Sequence, residues 1–544
     1  MENLEGLTAL IVEPHAGMRT SIQNMLTMCG LTNIQGVGSS NQAVKQLAGK
    51  PIDMVFCEYE LGDGQDGQQL LEDLRHHKLI SLSTMFFMVT AEGNHSKVVS
   101  AAELAPTDYI LKPFTADRLM ERIARALERR RVFANAHALM DAGHQREAIE
   151  ALGEVEQAFP RYALDALRLR AELHMFLAEP ELAEPIYRAL ADAKAIPWAR
   201  LGLAKTLFVR ERYDEAHEIL GSLVSSNKNF VDAYDWLART HAALGELDKS
   251  QQVLADAVAV SPHMVRRLRT LGETALAAGD ADTAEKTLRQ VVSKAKYSEF
   301  RDPEDHVKLV RALVTKGDAD QAAAVIRDLD RSMGNQKNAK ACSAISSMIL
   351  HQHTGNTERL GQALQAAVDA CRDAPGVSSD LKLELAHSCL ANGLEEMAAE
   401  VVQEVMRNAS DDAAMDKAMG VLQQAGHGEL ATRLAQESRQ QVIDLVSSGA
   451  ARARAGDYLG AVEMMQEAAE KMPNNPAVLF NAALALLRCL EHAGWDDRLA
   501  SKVPPLVDNV RRLDPRNPKL PALVALHQVV LRKYHKGPRI KKAG

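Results

Sequence analysis

The sequence predicts two architectures in one chain: a doubly wound α/β domain at the N-terminus and an all-α helical-repeat solenoid after it. Three observations carry this. Short apolar runs near 7–12, 33–37, 52–57, 84–90 and 107–111 are each followed by a helical pattern, which is how a parallel sheet covered by helices on both faces reads. From about residue 133 the apolar period is that of helices alone. Within that stretch a unit recurs in which a turn glycine is followed by an alanine five residues later, and the glycines of the two clearest copies, Gly245 and Gly279, lie 34 residues apart.

Taken in order, Leu7-Thr-Ala-Leu-Ile-Val12 reads as the first strand, and it runs into Glu13-Pro-His-Ala-Gly-Met-Arg19. Ser39 or Ser40 is placed to cap the second helix. The third strand, Asp53 to Glu58, ends on an acid, and Gly62, Gly64 and Gly67 break the chain before the next helix. A carboxylate at the carboxyl end of such a strand sits where open α/β sheets hold their ligands. Thr90 closes the apolar run from Met85, and Lys112-Pro113 closes Tyr109-Ile-Leu111, so three strand ends offer an acid, a hydroxyl and an ammonium. Thr115 is placed to cap the fifth helix, which runs through Arg129-Arg130-Arg131 toward Phe133, Ala136 and Leu139 with no Pro or Gly. The expectation is a continuous helix that carries any tilt of the first domain into the repeats. The arginine run could touch an acidic partner, but as a solvated helix C-terminus, where cations suit the macrodipole, it needs no function.

This layout resembles the receiver domain of two-component response regulators over roughly residues 5 to 130, and the resemblance implies a flavodoxin-like fold. It implies Glu58 at the phosphoacceptor position, Glu13 in the acidic pocket, Thr90 and Lys112 at the hydroxyl and lysine positions, and Tyr109 as the aromatic switch. Two departures stand out. The family's phosphoacceptor is aspartate, and two adjacent acids of the first loop hold magnesium with it; here the three positions read Glu58, Glu13 and Pro14. Proline offers no carboxylate to a cation that demands near-octahedral oxygen coordination, so Glu13 and Glu58 are expected to make at most a weak magnesium site. A glutamate also moves the carboxylate outward by one methylene, about an ångström, in a reaction that depends on position. The domain therefore reads as a pseudo-receiver, in which Glu58 pairs with Lys112 and Thr90. Asp63 and Asp66 are weaker acceptor candidates, since loop acids there usually cap the next helix.

The helical units resemble the tetratricopeptide repeat. Further copies centre on Gly143, Tyr213, Gly317, Gly393, Gly426 and Gly456, while 163–190 has Pro185 where a small residue is preferred, and 335–375 matches only loosely. Gly317 follows Gly279 by 38 residues, with Arg301-Asp-Pro303 in the gap. A helix near 520–534 is expected to cap the stack. The resemblance implies a groove lined by the first helix of each unit that binds an extended or helical peptide, with Asp235, Arg239, Arg269 and Glu273 on it. The boundaries predicted are a receiver-like domain over 1–131, a solenoid over 132–515, and a capping helix with a basic tail over 516–544.

The 544 residues leave room for several domains. A net charge of −8 and 4% aromatic residues argue against bulk nucleic-acid binding. The six cysteines are scattered without metal-ligand spacing, as in a reducing compartment, and no apolar run approaches the ~18 residues that span a bilayer. Nucleotide, hydrolase and metalloprotease motifs are absent from the sequence. His351 and His353 are two apart and cannot share a helix face, so they read as surface residues. The sequence thus predicts a non-enzymatic, cytoplasmic bacterial signalling scaffold that captures a protein partner along the solenoid, with self-association through the receiver a further expectation. Two alternatives stay open: a phosphorylation-dependent response regulator, and a nucleic-acid or membrane adaptor acting through Arg532, Lys533, Lys536, Arg539, Lys541 and Lys542.

Overall fold

The structure, a computed structural model, describes residues 4, 6–62, 66–77, 79–91, 106–141, 143–194, 196–262, 264–296, 301–515 and 517–534. The chain divides into two compact units, Met1–Asp305 and His306–Gly544. The first holds the sheet and the first five helix pairs. The second is helical throughout its described residues.

In the first unit, strands β1 (Thr8–Val12), β2 (Asn33–Val37), β3 (Met54–Glu58), β4 (Met85–Ala91) and β5 (Asp108–Lys112) form one parallel sheet in the order β2-β1-β3-β4-β5. Helices α1 (Ala16–Met28), α2 (Ser40–Gly49), α3 (Gly67–His76) and α4 (Ala116–Val132) cover it. The helical pattern expected between the fourth and fifth strands lies outside the described residues, as does Asp63. Alternation along β3 explains the burial: Met54 and Phe56 pack with Ile22, Phe87 and Ile123 on one face, while Val55 and Cys57 pack with Leu70, Leu74 and Phe86 on the other. Ser39 accepts the Gln42 amide and Thr115 the Arg118 amide, so both caps form as the sequence indicates. Asp66 caps α3 in a reciprocal box with Gln69.

The expected unbroken helix out of the receiver is interrupted. Helix α4 stops at Val132, Phe133 sits at φ −92° and ψ 2°, and a separate helix α5 (Ala134–Asp141) begins. Phe133 is fully buried and meets Tyr162 edge-on at 6.0 Å, so the bend is fixed by a side chain seeking its core and needs no Pro or Gly.

Helix pairs follow: α5 with α6 (Gln145–Ala158), α7 (Ala163–Phe176) with α8 (Pro180–Lys194), α9 (Pro197–Val209) with α10 (Tyr213–Ser226), α11 (Val231–Ala243) with α12 (Leu247–Val260), and α13 (Val265–Ala278) with α14 (Ala281–Ala295). Each pair turns on one residue in the left-handed region. Gly143, Gly245 and Gly279 supply it at φ 81°, 79° and 81°, but Ala178 and Glu211 take the same conformation at 56° and 60°. Five residues on, Ala148, Ala183, Ala216, Ser250 and Ala284 are all buried to 1% exposure or less, where the paired helices cross. Pro185 therefore does not occupy the small-residue position of its unit, which Ala183 fills; it lies inside α8.

In the second unit the same turn recurs at Gly317, Gly355, Gly393, Gly426 and Gly456. The loosely matching stretch 335–375 is an ordinary pair, Lys337–Thr354 with Thr357–Arg372. Gly428–Arg454 is one helix of 27 residues, serving as the second helix of one repeat and the first of the next. The helix Leu520–Lys533 packs Leu520, Leu523 and Val530 into the core around Leu486 and Val510. Of the basic C-terminal residues only Arg532 and Lys533 are described. Among the described residues no helix is long and apolar enough to cross a membrane.

Candidate functional site

The carboxyl ends of β1, β3 and β5 bring Glu13, Glu58 and Lys112 together. Lys112 Nζ donates to Glu13 Oε2 at 3.0 Å and to Glu58 Oε2. Glu58 Oε1 accepts the amides of Tyr59 at 2.8 Å and Glu60 at 3.3 Å, so the side chain curls back over the turn that follows its own strand. Glu13, only 1% exposed, accepts the His15 amide at 3.0 Å. Burial opposes its ionisation, yet the His15 amide and the Lys112 ammonium outweigh burial and hold its carboxyl below the usual glutamate range. Lys112 is the reciprocal case: burial favours its neutral form, and the carboxylates of Glu58 and Glu13 overcome it and raise its pKa. Thr90 is fully buried on β4, in register with Leu111, and Tyr109 packs among the residues behind α3, where burial pushes its phenol up.

Pro14 brings no side-chain oxygen, Glu13 and Glu58 are bridged by a lysine ammonium, and the second oxygen of each accepts a backbone amide. Among the described residues no group of three or more His, Cys, Asp or Glu side chains is placed to hold a metal ion.

The four groove residues named from the sequence lie on α11 and α13, and three of them are engaged within the chain. Arg269 is tied to Asp305 by two bonds of 2.6 and 2.8 Å, and that pair locks α13 to the chain that ends the first unit. Glu273 lies on the same side of α13 and acts electrostatically on Arg269. Asp235 is held by Arg267 in a fork of 2.7 and 2.8 Å, and Arg239 lies over the Trp236 ring at 4.7 Å.

Sequence reasoning missed the residues that give this region its character. Trp236 carries Lys205 as well as Arg239 over its ring, and Trp198 carries Arg168. Burial pushes the Lys205 pKa down to about 8. Arg267 is 4% exposed, and its Nη1 is a buried atom with no hydrogen-bond partner. A cavity of about 200 Å3 opens beside it, lined by Asp232, Asp235, Trp236 and Arg239, and by Glu72 of α3. The signal available was that the chain has 3 tryptophans, and two of them, Trp198 and Trp236, fall in first helices of neighbouring repeats.

Fold and pocket define a receiver domain joined to a tetratricopeptide-like helical repeat. The response regulator receiver domain family matches residues 9–124, and through that stretch the chain belongs to the family. Chemotaxis protein CheY of Pseudomonas aeruginosa is 31% identical over 120 residues, which is 22% of this chain and 95% of that protein. Chemotaxis protein CheY-3 of Vibrio cholerae is 29% identical over 125 residues, 23% of this chain and 95% of that one. Among solved structures, a tetratricopeptide repeat protein from Parabacteroides merdae covers 51% of this chain and 98% of its own, at 14% identity and a TM-score of 0.36.

Proposed function

We propose that the protein is a non-enzymatic bacterial signalling scaffold of the cytoplasm, in which a pseudo-receiver is coupled to a solenoid that captures a segment of a partner protein. The observation that carries the pseudo-receiver reading is the lysine bridge: the ammonium of Lys112 already joins Glu13 and Glu58, in the place where a phosphoryl group and its cation would be held. With Pro14 in the first loop, the pocket lacks both the metal ligand and the shorter acceptor. Glu58 then acts as a fixed partner of Lys112, and Thr90 and Tyr109 are the residues through which any change in that pairing would be felt. The solenoid reading rests on the surface around Trp236, where stacked cations and a buried arginine face a cavity large enough for a side chain.

The test is intact-mass analysis after incubation with acetyl phosphate and magnesium. Wild-type protein and Glu58→Asp are expected to remain unmodified, whereas Pro14→Asp combined with Glu58→Asp gains one phosphoryl group. A base-labile adduct on the wild-type chain would overturn the pseudo-receiver reading in favour of a phosphorylation-dependent regulator.

A further inference from the structure

Helix α3 carries two stripes. Leu70, Leu71 and Leu74 face the sheet and are buried there. Gln68, Glu72 and Arg75 follow one another at spacings of four and three on another side, which in a receiver standing alone would face water. Here Glu72, at the centre of that stripe, is covered by the solenoid. Glu72 is 9% exposed and lines the cavity with Trp236 and Arg267, and Gln68 Oε1 is buried without a hydrogen-bond partner. A few residues on, Ser81 donates to Asp141 of α5 at 2.9 Å. The receiver is therefore seated against the first helices of its own repeats, on the surface around Trp236.

The fit at Glu72 is chemically incomplete. Its carboxyl accepts one hydrogen bond, from Gln68 Nε2 at 3.2 Å, and no bond joins it to Arg267, whose Nη1 is vacant. An ionised carboxylate there would be expected to take that donor, since charge-assisted bonds to guanidinium are among the strongest available. We propose that α3 is the resident occupant of the solenoid groove, seated through the side chain of Glu72, and that it holds the place of a partner segment whose acidic side chain reaches Arg267. This rests on the reading of the solenoid as a peptide-capturing surface, and it adds the chemistry of the peptide and an intramolecular competitor for it.

The electrostatics around Glu72 agree. Burial, opposed by the Gln68 bond and the positive charge of Arg267, and reinforced by Asp66 and Asp232, pushes its pKa up to about 8. The charged groups lining the same cavity from α11 and α13 are Asp232, Asp235, Arg239, Arg266 and Arg267, and the phenols of Tyr59 and Tyr109 lie on the receiver side. A carboxyl whose pKa is raised on docking strengthens the docked state below its free value near 4.5 and weakens it progressively as pH rises to about 8. At pH 7 the proton is held at a cost in docking constant on the order of a hundredfold relative to an uncharged isostere.

Amide hydrogen exchange on the full chain at pH 7 reads this with no partner present. Glu72→Gln is expected to raise protection at least about tenfold in α3 and in the turns of α11 and α13 that border the cavity, and Glu72→Arg to lower it there. Loss of protection in Glu72→Gln equal to that in Glu72→Arg would show an ionised Glu72 paired with Arg267 and overturn the proposal, as would identical exchange in all three proteins. For the peptide, a fluorescein-labelled helical probe bearing one central glutamate is compared with the same probe bearing glutamine. Binding of the glutamate probe to Glu72→Arg but not to Glu72→Gln is expected, and it should vanish in Arg267→Met. Equal binding of both probes, or no binding by a chain whose exchange shows the groove open, refutes the acidic-partner assignment while leaving the seat of α3 to stand on the exchange result.

Discussion

At residue scale, the chain shows which positions are fixed by covalent geometry and which by neighbours. Glu211 turns the α9–α10 pair at φ 60°, a conformation that costs an L-residue with a Cβ roughly 1 kcal/mol and glycine almost nothing. Its side chain is exposed, so removing it takes nothing from the core. Glu211→Gly should therefore stabilise the first unit by about 1 kcal/mol, less the entropy glycine adds to the unfolded chain. Urea unfolding monitored by tryptophan fluorescence checks this, with Gly245→Ala expected to shift the midpoint the opposite way. The same comparison explains a limit of reading the repeats by their glycines. Ala178 and Glu211 make the same turn as Gly143 and Gly245, but nothing in their identity announces a left-handed backbone. What survives in the sequence is the buried small residue five positions on, which Ala183 and Ala216 keep.

At the scale of elements, the joint between receiver and repeats is where the structure departs furthest from its sequence signal. The run from Arg118 to Leu139 contains no breaker, yet the helix bends at Phe133, because that ring is drawn between His137 at 5.9 Å and Tyr162 at 6.0 Å. Tertiary packing overrides a continuous helical propensity, and a single sequence does not display tertiary packing. The joint also carries a titrating group. Burial, and then Arg129, Arg75 and Arg130, push the His137 pKa down to about 4, and its Nδ1 has no hydrogen-bond partner. A histidine depressed on folding binds fewer protons in the native than in the unfolded state between its two pKa values, so it costs the fold nothing above about pH 6.5 and destabilises it progressively as pH falls to about 4. The full effect is on the order of 3 kcal/mol. His137→Phe keeps the ring stack and removes the proton site, so the stability difference between variant and wild type should widen in the variant's favour from pH 7 to pH 5. A difference that stays flat across that range would mean that the imidazole is solvated at the joint.

At the scale of the first unit as a whole, the fold and the receiver pocket were legible because they rest on local order. Strand ends place Glu58 and Lys112 by periodicity alone, and a 34-residue spacing with a small residue at each crossing places the repeats. The surface around Trp236 was not legible, because Glu72 reads as one more solvated acid on the outer stripe of α3 until another part of the chain covers it. That difference changes the expected route between the two parts. A rigid helix would carry a change at Glu58 or Lys112 into the repeats through α4 and α5, whereas α3 begins nine residues after Glu58, at a glycine whose amide donates to the Tyr59 carbonyl at 2.7 Å, and ends its course against the groove itself. The two routes are separable by inserting a short Gly-Ser segment after Arg131. The insertion breaks the helical route and leaves α3 tethered at high effective concentration, so it weakens the docked state only modestly. The prediction is that Lys112→Ala, which removes the cation between Glu13 and Glu58, alters hydrogen exchange in the bordering turns of α11 and α13 to the same extent with and without the insertion, giving a coupling energy between the two changes near zero. If the insertion abolishes the effect of Lys112→Ala while α3 remains protected, the signal travels through the bent helix and the groove contact is only a seat.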